Sequence, residues 1–313
     1  MLNIFSEILI IVLPVFIVVV LGYGVKHSSL VDDGFLFQLN RLVYYLALPL
    51  LLFFKIASAD FSTSFNGRLV LGLALVVFAG FFLSYLFAVF RNYPVQTRGT
   101  FCQCSFRGNF AYVGLAIVFN AYGEEGLATA GIVLGFIVPL LNFFSIIAFL
   151  LPHQESRVKP VFFLKQIFLN PLILASFLGI AWSFLEIPIP RVIGSALHIV
   201  TGMALPLALI SIGASFSVKK LRGDLSIAFV AIAFKLVLMP LAAAFLLHAL
   251  GVHGRDLVMG VIFAGTPTAT AAYIFSQQMR GDAELAGSII MLTTLLSAVT
   301  YTAALLILRS VGV

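Results

Sequence analysis

The sequence predicts an all-α integral membrane protein with ten transmembrane helices, arranged as two inverted five-helix repeats. Three observations support this fold class: the composition, the spacing of long apolar runs and a register that relates the two halves. Hydrophobic residues make up 62% of the 313 residues and charged residues only 10%, with a mean hydropathy of +1.14. A soluble domain carries roughly 25% charged residues, so membrane lipid is the expected surrounding of this chain.

The charges and the cysteines exclude several function classes. The net charge is +6, but the basic residues lie in short loops and form no stripe on a helix, so no nucleic-acid partner is expected. The two cysteines, Cys102 and Cys104, lie two residues apart in an apolar run. Two thiols without a histidine or carboxylate at ligand spacing cannot form a tetrahedral zinc site. We therefore expect no metal and no cofactor.

Ten apolar runs are long enough to cross a bilayer, which needs about 20 predominantly apolar residues. The first is expected to remain as a span, because it exceeds the usual length of a signal-peptide core and no basic segment precedes it. The polar turns between the runs are short, and the longest polar break, Pro152 to Pro160, lies at the midpoint of the chain. The predicted spans are residues 5–25, 35–57, 68–90, 99–121, 126–150, 161–185, 191–216, 225–249, 256–278 and 284–308.

An internal repeat relates the two halves at an offset of 157 residues, which takes Ala47-Leu48-Pro49-Leu50 to Ala204-Leu205-Pro206-Leu207. The predicted repeats are residues 1–150 and 161–313, joined by a loop at 151–160. Each repeat contains five spans, and this odd number inverts the second half, as in many secondary transporters. Pro49 and Pro206 occupy matching places, and we expect them to break scaffold helices rather than to contact a substrate.

The distribution of lysine and arginine predicts the orientation. One face of the predicted topology carries ten of these residues and the other carries five, while Arg41, Arg107 and Lys235 lie within spans. The richer face is expected to be cytoplasmic. Both termini are therefore predicted on the outer side of the inner (plasma) membrane, in a multi-pass protein.

Two spans contain sequences that interrupt a helix near the middle of the membrane, where transporters of this plan bind substrate. In the ninth span, Gly265-Thr266-Pro267-Thr268 interrupts the helix, and Thr266 could cap a second half-helix with Pro267 at its first position. In the fourth span, Gly108-Asn109 lies at the repeat-equivalent place, and Asn109 is a good N-cap. Two half-helix N-termini would then face each other and favour an anion.

Four further side chains are candidates for the site, each with two interpretations. Arg107 could bind a carboxylate or extend to the cytoplasmic interface. Lys235 could face a substrate cavity or bind backbone carbonyls freed near Pro240. Tyr112 and Tyr273 follow the two breaks and could line the cavity or serve only in packing. A charged residue within a span costs about 2.5–3.5 kcal/mol and usually faces a cavity or a partner.

The residues favour a transporter over two other classes. An intramembrane enzyme is disfavoured, because no His-Glu metal motif and no pair of buried carboxylates is present and Ser105 has no nearby histidine. No catalytic residues are therefore predicted. A channel-like anion permease would need a selectivity filter, and no such sequence is visible. Uniport, proton coupling and sodium coupling all remain open, because no span interior carries an aspartate or glutamate.

The chain resembles the auxin efflux carrier family, which includes the plant PIN-type carriers and bacterial malonate and other organic-acid transporters. The resemblance runs over nearly the whole chain and is most specific in the ninth span. The residues that carry it are Leu39-Asn40-Arg41, Ala47-Leu48-Pro49, Arg107-Gly108-Asn109-Phe110, Lys235-Leu236, Pro240, Pro267-Thr268-Ala269-Thr270-Ala271-Ala272-Tyr273 and Gly281-Asp282-Ala283-Glu284.

This resemblance implies a two-domain architecture and a substrate class. Helices 1, 2, 6 and 7 would form a scaffold, usually in a homodimer, and helices 3–5 and 8–10 would form a transport domain. The broken helices 4 and 9 would cross at the substrate site, and an elevator-type movement would give alternating access. The substrate would be a small organic carboxylate anion.

Overall fold

A computed structural model describes residues 2–28, 30–151, 169–216 and 224–310 of the protein. Every named element in these ranges is helical. Short π-helical turns lie at Val43–Ala47, Phe110–Gly114 and Phe234–Leu238. The helices are α1 (Leu2–His27), α2 (Asp33–Leu42), α3 (Leu48–Ala57), α4 (Phe61–Ser64), α5 (Gly67–Phe90), α6 (Val95–Phe106), α7 (Leu115–Leu150), α8 (Pro171–Phe184), α9 (Arg191–Gly202), α10 (Ala204–Ala214), α11 (Leu225–Ala233), α12 (Met239–Ala249), α13 (Gly254–Ala264), α14 (Ala271–Gln278) and α15 (Ala283–Ser310).

Several helices begin at a polar side chain that accepts hydrogen bonds from the first free backbone N–H groups, which have no partner inside the helix. The Asn66 carboxamide oxygen accepts from the Arg68 and Leu69 N–H groups at the start of α5. The Asp224 carboxylate does the same for α11, and the bonds from Ser226 hold the pKa of the Asp224 carboxyl below its usual value.

Seven helical stretches within the described ranges are long and apolar enough to cross a membrane. They correspond to the predicted spans 1, 2, 3, 5, 7, 8 and 10, and the coarse prediction of a multi-pass helical membrane protein is confirmed. Predicted spans 4 and 9 are broken, and of predicted span 6 only Pro171–Phe184 is a described helix, because residues 152–168 lie outside the described ranges. The count of ten spans and the inverted repeat remain predictions.

The stretch Phe110–Leu150 is too long for a single crossing. Its 41 residues would extend about 60 Å as one helix, twice the ~30 Å hydrocarbon thickness. At Gly123 the backbone leaves the helical region, with φ of 60° and ψ of −147°. A left-handed φ is accessible to glycine at low cost, so the chain bends there and divides the stretch between predicted spans 4 and 5.

Pro49 and Pro206 each lie just after a discontinuity in a helix. In the second predicted span the helix changes to the π-turn Val43–Ala47, and Pro49 lies in the first turn of α3, which follows. The seventh span is interrupted at Met203, and Pro206 lies in the first turn of α10. A proline lacks the backbone N–H and clashes with the preceding turn, which accounts for both irregularities.

The helices pack as two sets. In the first helix set (α1, α2, α3, α8, α9 and α10), α1 packs along α10, and α3 packs along α8 and α9. In the second helix set (α5, α6 and α11–α15), α5 packs against α6 and α12, and α15 packs against α6, α11 and α14. Helix α7 contacts members of both sets. The two broken spans, which contain α6 and α13–α14, therefore meet inside the second helix set.

Candidate functional site

The breaks in the fourth and ninth predicted spans pair with each other as a short antiparallel bridge between Gly108 and Thr268. The Asn109 N–H donates to the Pro267 carbonyl oxygen at 2.8 Å, and the Ala269 N–H donates to the Arg107 carbonyl oxygen at 3.0 Å. Backbone groups released from two helices thus satisfy each other, as burial in a membrane protein requires. We call this pairing of residues 107–109 with 267–269 the crossing.

Gly108 is required at the crossing by close approach. A Cβ atom at this position would lie 2.0 Å from the Thr266 Oγ1 atom and 2.6 Å from the Phe110 ring. The Thr266 hydroxyl is itself fixed, because it donates to the Phe263 carbonyl oxygen at 2.7 Å. No side chain larger than hydrogen fits here unless the two breaks move apart.

The second half of the ninth span begins later than predicted. Helix α14 starts at Ala271 with Thr270 before it, so Thr266 does not cap a half-helix and Pro267 is not its first residue. Thr266 instead stabilises the end of α13, while Thr268 binds across the crossing. Its hydroxyl donates to the Cys104 carbonyl oxygen at 2.8 Å, and its N–H donates to Thr293 Oγ1 at 3.1 Å.

In the fourth span the helix resumes directly after Asn109, as predicted, but the Asn109 side chain does not cap it. Its carboxamide makes no hydrogen bond to any residue in the described ranges, although Asn109 is only 6% exposed. The Asn109 amide is therefore available to a ligand at the crossing.

Arg107 is buried, with 7% of its surface exposed, so it does not extend to the interface. One terminal nitrogen donates to the Leu141 carbonyl oxygen at 3.1 Å and to Ser145 Oγ at 2.9 Å, and the other donates to Asn142 Oδ1 at 2.7 Å. The guanidinium also lies over the Phe275 ring, 4.6 Å from its centroid. Arg107 thus holds the crossing to α7 and α14, and direct substrate contact stays a prediction.

Lys235 is completely buried, and its ammonium donates to the Ala264 carbonyl oxygen at 2.5 Å. That carbonyl is the last of α13, so the lysine places a positive charge at the negative end of the half-helix dipole. The preceding carbonyls of α13 are also satisfied, that of Ile262 by the Tyr301 hydroxyl at 3.0 Å and that of Phe263 by Thr266. The contact agrees with the carbonyl-binding interpretation, with α13 rather than the turn before Pro240 as the source of the carbonyl.

The charges buried near the crossing have one sign. Within the described ranges, the buried charged side chains are Arg107 and Lys235, and no aspartate or glutamate is buried. Both cations are bound by neutral oxygen acceptors and not by carboxylates. Within the described ranges, neither buried cation near the crossing therefore has a carboxylate partner.

The two predicted tyrosines have different surroundings. Tyr112, one turn after the break, is 8% exposed, and its hydroxyl makes no hydrogen bond to the described residues. Tyr273 is 37% exposed, and its hydroxyl accepts from Gln277 Nε2 at 3.0 Å. Of the predicted site residues, Tyr273 alone is surface-exposed, while Gly265 ends α13 beside the crossing.

The structure adds residues that the sequence did not indicate. Asn142 and Ser145 hold Arg107, and Thr293 holds the backbone of Thr268. In the first helix set, the Tyr44 hydroxyl oxygen accepts from Asn170 Nδ2 at 3.1 Å. Polar residues inside apolar spans were the available signal for Asn142 and Ser145, whereas nothing in the sequence distinguished Tyr44 from its neighbour Tyr45.

A membrane-embedded crossing of two broken helices, with buried cations beside it, is a feature of secondary transporters. The chain matches the model of the family described as "membrane transport protein" over residues 7–160 and 153–305, and it belongs to this family. The match confirms the resemblance to the auxin efflux carrier family.

Relatives of similar length cover nearly the whole chain. A protein of Rhizobium meliloti (strain 1021) named "Putative malonate transporter" is 29% identical over 97% of both chains. An "Uncharacterized transporter" of Methanothermobacter thermautotrophicus is 26% identical over 92% of this chain and 94% of its own. A transporter of Escherichia coli K12 is 23% identical over 89% and 92%. These names describe transporters and not enzymes, in agreement with the sequence prediction.

Proposed function

We propose that this protein is a secondary transporter that moves a small organic carboxylate anion across the inner (plasma) membrane by alternating access. The observation that carries the proposal is the crossing, where two broken helices pair beside the only buried charges of the described ranges, both of them cations. The Rhizobium relative, named for malonate, adds a candidate substrate.

The proposed substrate site uses polar groups that have no hydrogen-bond partner among the described residues. The Asn109 carboxamide and the Tyr112 hydroxyl bind the anion directly, and the N-terminus of the half-helix after Asn109 adds its positive dipole. Arg107 and Lys235 act mainly through their field, because the two terminal nitrogens of Arg107 and the Lys235 ammonium donate to protein acceptors, which leaves only Arg107 Nε without a partner among these donors in the described ranges. Gly108, Gly265, Thr266, Pro267 and Thr268 shape the backbone of the crossing, and Tyr273 lies at its edge.

We also retain the architecture of two inverted five-helix repeats with ten spans. The first helix set serves as the scaffold, and the second set, with α7, serves as the transport domain that shifts as an elevator. Two ion pairs connect these groups at the predicted outer face, Lys55 with Glu124 and Arg309 with Glu7 at 3.4 Å. This arrangement supports a conformation closed on the outside. Both termini are outward in this proposal, and two copies of the scaffold form a homodimer.

Counterflow in proteoliposomes tests the proposed function. Proteoliposomes that contain the purified protein are loaded with unlabelled malonate, and the uptake of labelled malonate from outside is measured. The same measurement is then made with a panel of mono- and dicarboxylates and with their neutral amides. We expect saturable counterflow of a carboxylate and no transport of the amides. A proton or sodium gradient imposed separately identifies the coupling ion, if any.

The variant Asn109→Leu tests the place of the site. It should abolish counterflow, because the carboxamide without a partner is lost, while Gln278→Leu makes the same change at an exposed position of α14 and should leave counterflow intact. Equal counterflow in Asn109→Leu and wild type, or equal transport of amides and acids, would exclude the proposed anion site. Flux that shows neither saturation nor counterflow would indicate a channel-like permease.

A further inference from the structure

We propose that one face of α14 lines an aqueous path by which the anion reaches the crossing from the predicted cytoplasmic side, and that Arg280, just after α14, attracts the anion into it. This inference rests on the proposed function and extends it from the site to its access. The α14 face consists of Tyr273, Ile274 and Gln277, which lie on one side of the helix and are all exposed. Gln278 lies outside it, about 100° around the helix from Gln277.

The polar composition of the α14 face distinguishes it from the lipid-facing surfaces of the protein. From Leu71 to Phe90 of α5 and along the whole of α8, every exposed side chain is apolar, as contact with lipid requires. In the α14 face, by contrast, the Gln277 Nε2 atom donates to the Tyr273 hydroxyl oxygen at 3.0 Å. The other hydrogen-bonding groups of these two side chains have no partner among the described residues, and water supplies such partners where lipid cannot. The apolar exposed residues include Leu75, Phe78, Leu86, Leu174, Phe177 and Leu178.

The α14 face begins deep in the predicted membrane. Helix α14 starts at Ala271, two residues after the crossing, near the middle of the predicted ninth span. Tyr273 and Ile274 lie about 3 and 5 Å along the helix axis from Ala271, and Gln277 lies about 9 Å from it. Half of the hydrocarbon thickness is about 15 Å. The face therefore leads from the crossing towards the membrane surface.

The packing of α14 uses its opposite side. Among the described helices, α14 packs against α15 and α6. Ala272 and Ser276 are buried there, and the Gln103 Nε2 atom of α6 donates to the Ala272 carbonyl oxygen at 2.8 Å and to Ser276 Oγ at 3.0 Å. These contacts hold α14 to the second helix set and leave the α14 face uncovered. An opening on the predicted cytoplasmic side agrees with a conformation that is closed on the outside.

Arg280 occupies a backbone position at which glycine is usual. Its φ is 56°, and the following residue, Gly281, donates its N–H to the Ser276 carbonyl oxygen at 2.7 Å, which closes the end of α14. The corresponding residue in the same kind of turn after α12 is Gly251, with φ of 73°. A Cβ atom makes this conformation costly, so an arginine at this place indicates a role for the side chain.

The charge of Arg280 fits that role. Its side chain is exposed and has no ion-pair or hydrogen-bond partner among the described residues. Arg280 lies about one turn beyond Gln277, at the end of the α14 face farthest from the crossing. A cation at the entrance of a cleft raises the local concentration of anions. With Arg107 and Lys235 buried near the crossing, both ends of the path are positive.

Cysteine labelling in inside-out membrane vesicles, which expose the cytoplasmic face, tests the inference. Ile274→Cys and Leu86→Cys are matched, because both residues are aliphatic, about half exposed and four residues from the end of a predicted span. An anionic, membrane-impermeant methanethiosulfonate should modify Ile274→Cys about tenfold faster or more, because the reactive thiolate does not form in lipid. The wild type gives the background, since Cys102 and Cys104 are buried.

The contribution of Arg280 is measured in the Ile274→Cys background with anionic and cationic reagents of similar size. Arg280→Gly should reduce the preference for the anionic reagent about three- to tenfold, and Arg280→Lys should retain it. Glycine adopts the left-handed conformation without strain, so Arg280→Gly should melt at the wild-type temperature or above it. A purely structural role of the arginine would instead lower the melting temperature.

The outcomes separate this inference from the proposed function. Fast modification of Ile274→Cys, slowed by malonate, supports the path, and Gln277→Cys provides a second position if Ile274→Cys does not fold. Equally slow modification of the α14 cysteines and Leu86→Cys places the α14 face in lipid and overturns the path, while counterflow by the wild type upholds the proposed function. An unchanged charge preference in Arg280→Gly overturns the role of Arg280. Failure of the wild type to exchange any carboxylate overturns the proposed function and, with it, the anion as the occupant of the path.

Discussion

Gly108→Ala should separate the two broken helices, and the size of its effect follows from the contacts at the crossing. The new methyl group would lie 2.0 Å from Thr266 Oγ1 and 2.6 Å from the Phe110 ring, so the breaks must move apart. Overpacking of this kind costs about 1–3 kcal/mol. Loss of the two backbone hydrogen bonds between residues 107–109 and 267–269 costs about 0.5–1.5 kcal/mol each.

We therefore expect the free energy of unfolding to fall by roughly 2–6 kcal/mol and counterflow to be lost, because the site is built on the crossing. Thermal unfolding in detergent and counterflow in liposomes measure the two effects. Gly24→Ala is the matched control, since nothing lies within 4 Å of a Cβ placed there, and alanine is the better helix former.

A double substitution identifies the cause. Adding Thr266→Ala removes the hydroxyl that the new methyl group meets, so Gly108→Ala should cost less stability in that background than in the wild type. The Phe110 contact remains, and recovery should be partial. The reasoning is refuted if Gly108→Ala unfolds at the wild-type temperature and transports normally.

Two further predictions concern the buried lysine and the connection between the helix sets. Lys235→Met removes the ammonium that caps the first half of the broken ninth span, and we expect a lower melting temperature; a changed malonate affinity at an unchanged melting temperature would instead indicate direct substrate contact. Cysteines at Lys55 and Glu124, an ion pair between α3 and α7, should react with a short bifunctional methanethiosulfonate cross-linker that stops counterflow until it is reduced. The same cross-link between cysteines at Arg255 and Glu125, a pair between α13 and α7 at 3.2 Å, should not stop it, and equal counterflow in the cross-linked Lys55–Glu124 variant would argue against an elevator movement.

The sequence predicted where the two helices break, but not the residue at which the helix resumes after the break in the ninth span. Glycine, asparagine and proline within apolar spans indicate where a helix stops, because these residues act through local backbone geometry. The start of α14 at Ala271 rather than at Pro267 depends on partners from other helices. Thr268 is held by Thr293 and by the Cys104 carbonyl, and no local pattern encodes those contacts.

The roles of the buried cations show the same division. The sequence placed Arg107 and Lys235 within spans and left two interpretations for each, because a residue's depth does not identify its partner. In the structure, Lys235 donates a hydrogen bond to the last carbonyl of α13, and Arg107 donates to Asn142 and Ser145. These acceptors lie 29 to 38 residues away in the chain, and only packing brings them within reach.

By itself the sequence determined that this chain is a membrane-embedded bundle of helices that belongs to a transporter family. Hydropathy, loop charge and helix-breaking residues can each be read from a short segment, because their effect on the backbone does not depend on contacts with distant residues. The tertiary structure decided which polar groups near the crossing have no hydrogen-bond partner among the described residues, above all Asn109 and Tyr112. Hydrogen-bond satisfaction is a property of the whole packed molecule. A polar residue is free for a substrate only when every neighbour that could have bound it is bound elsewhere or lies out of reach.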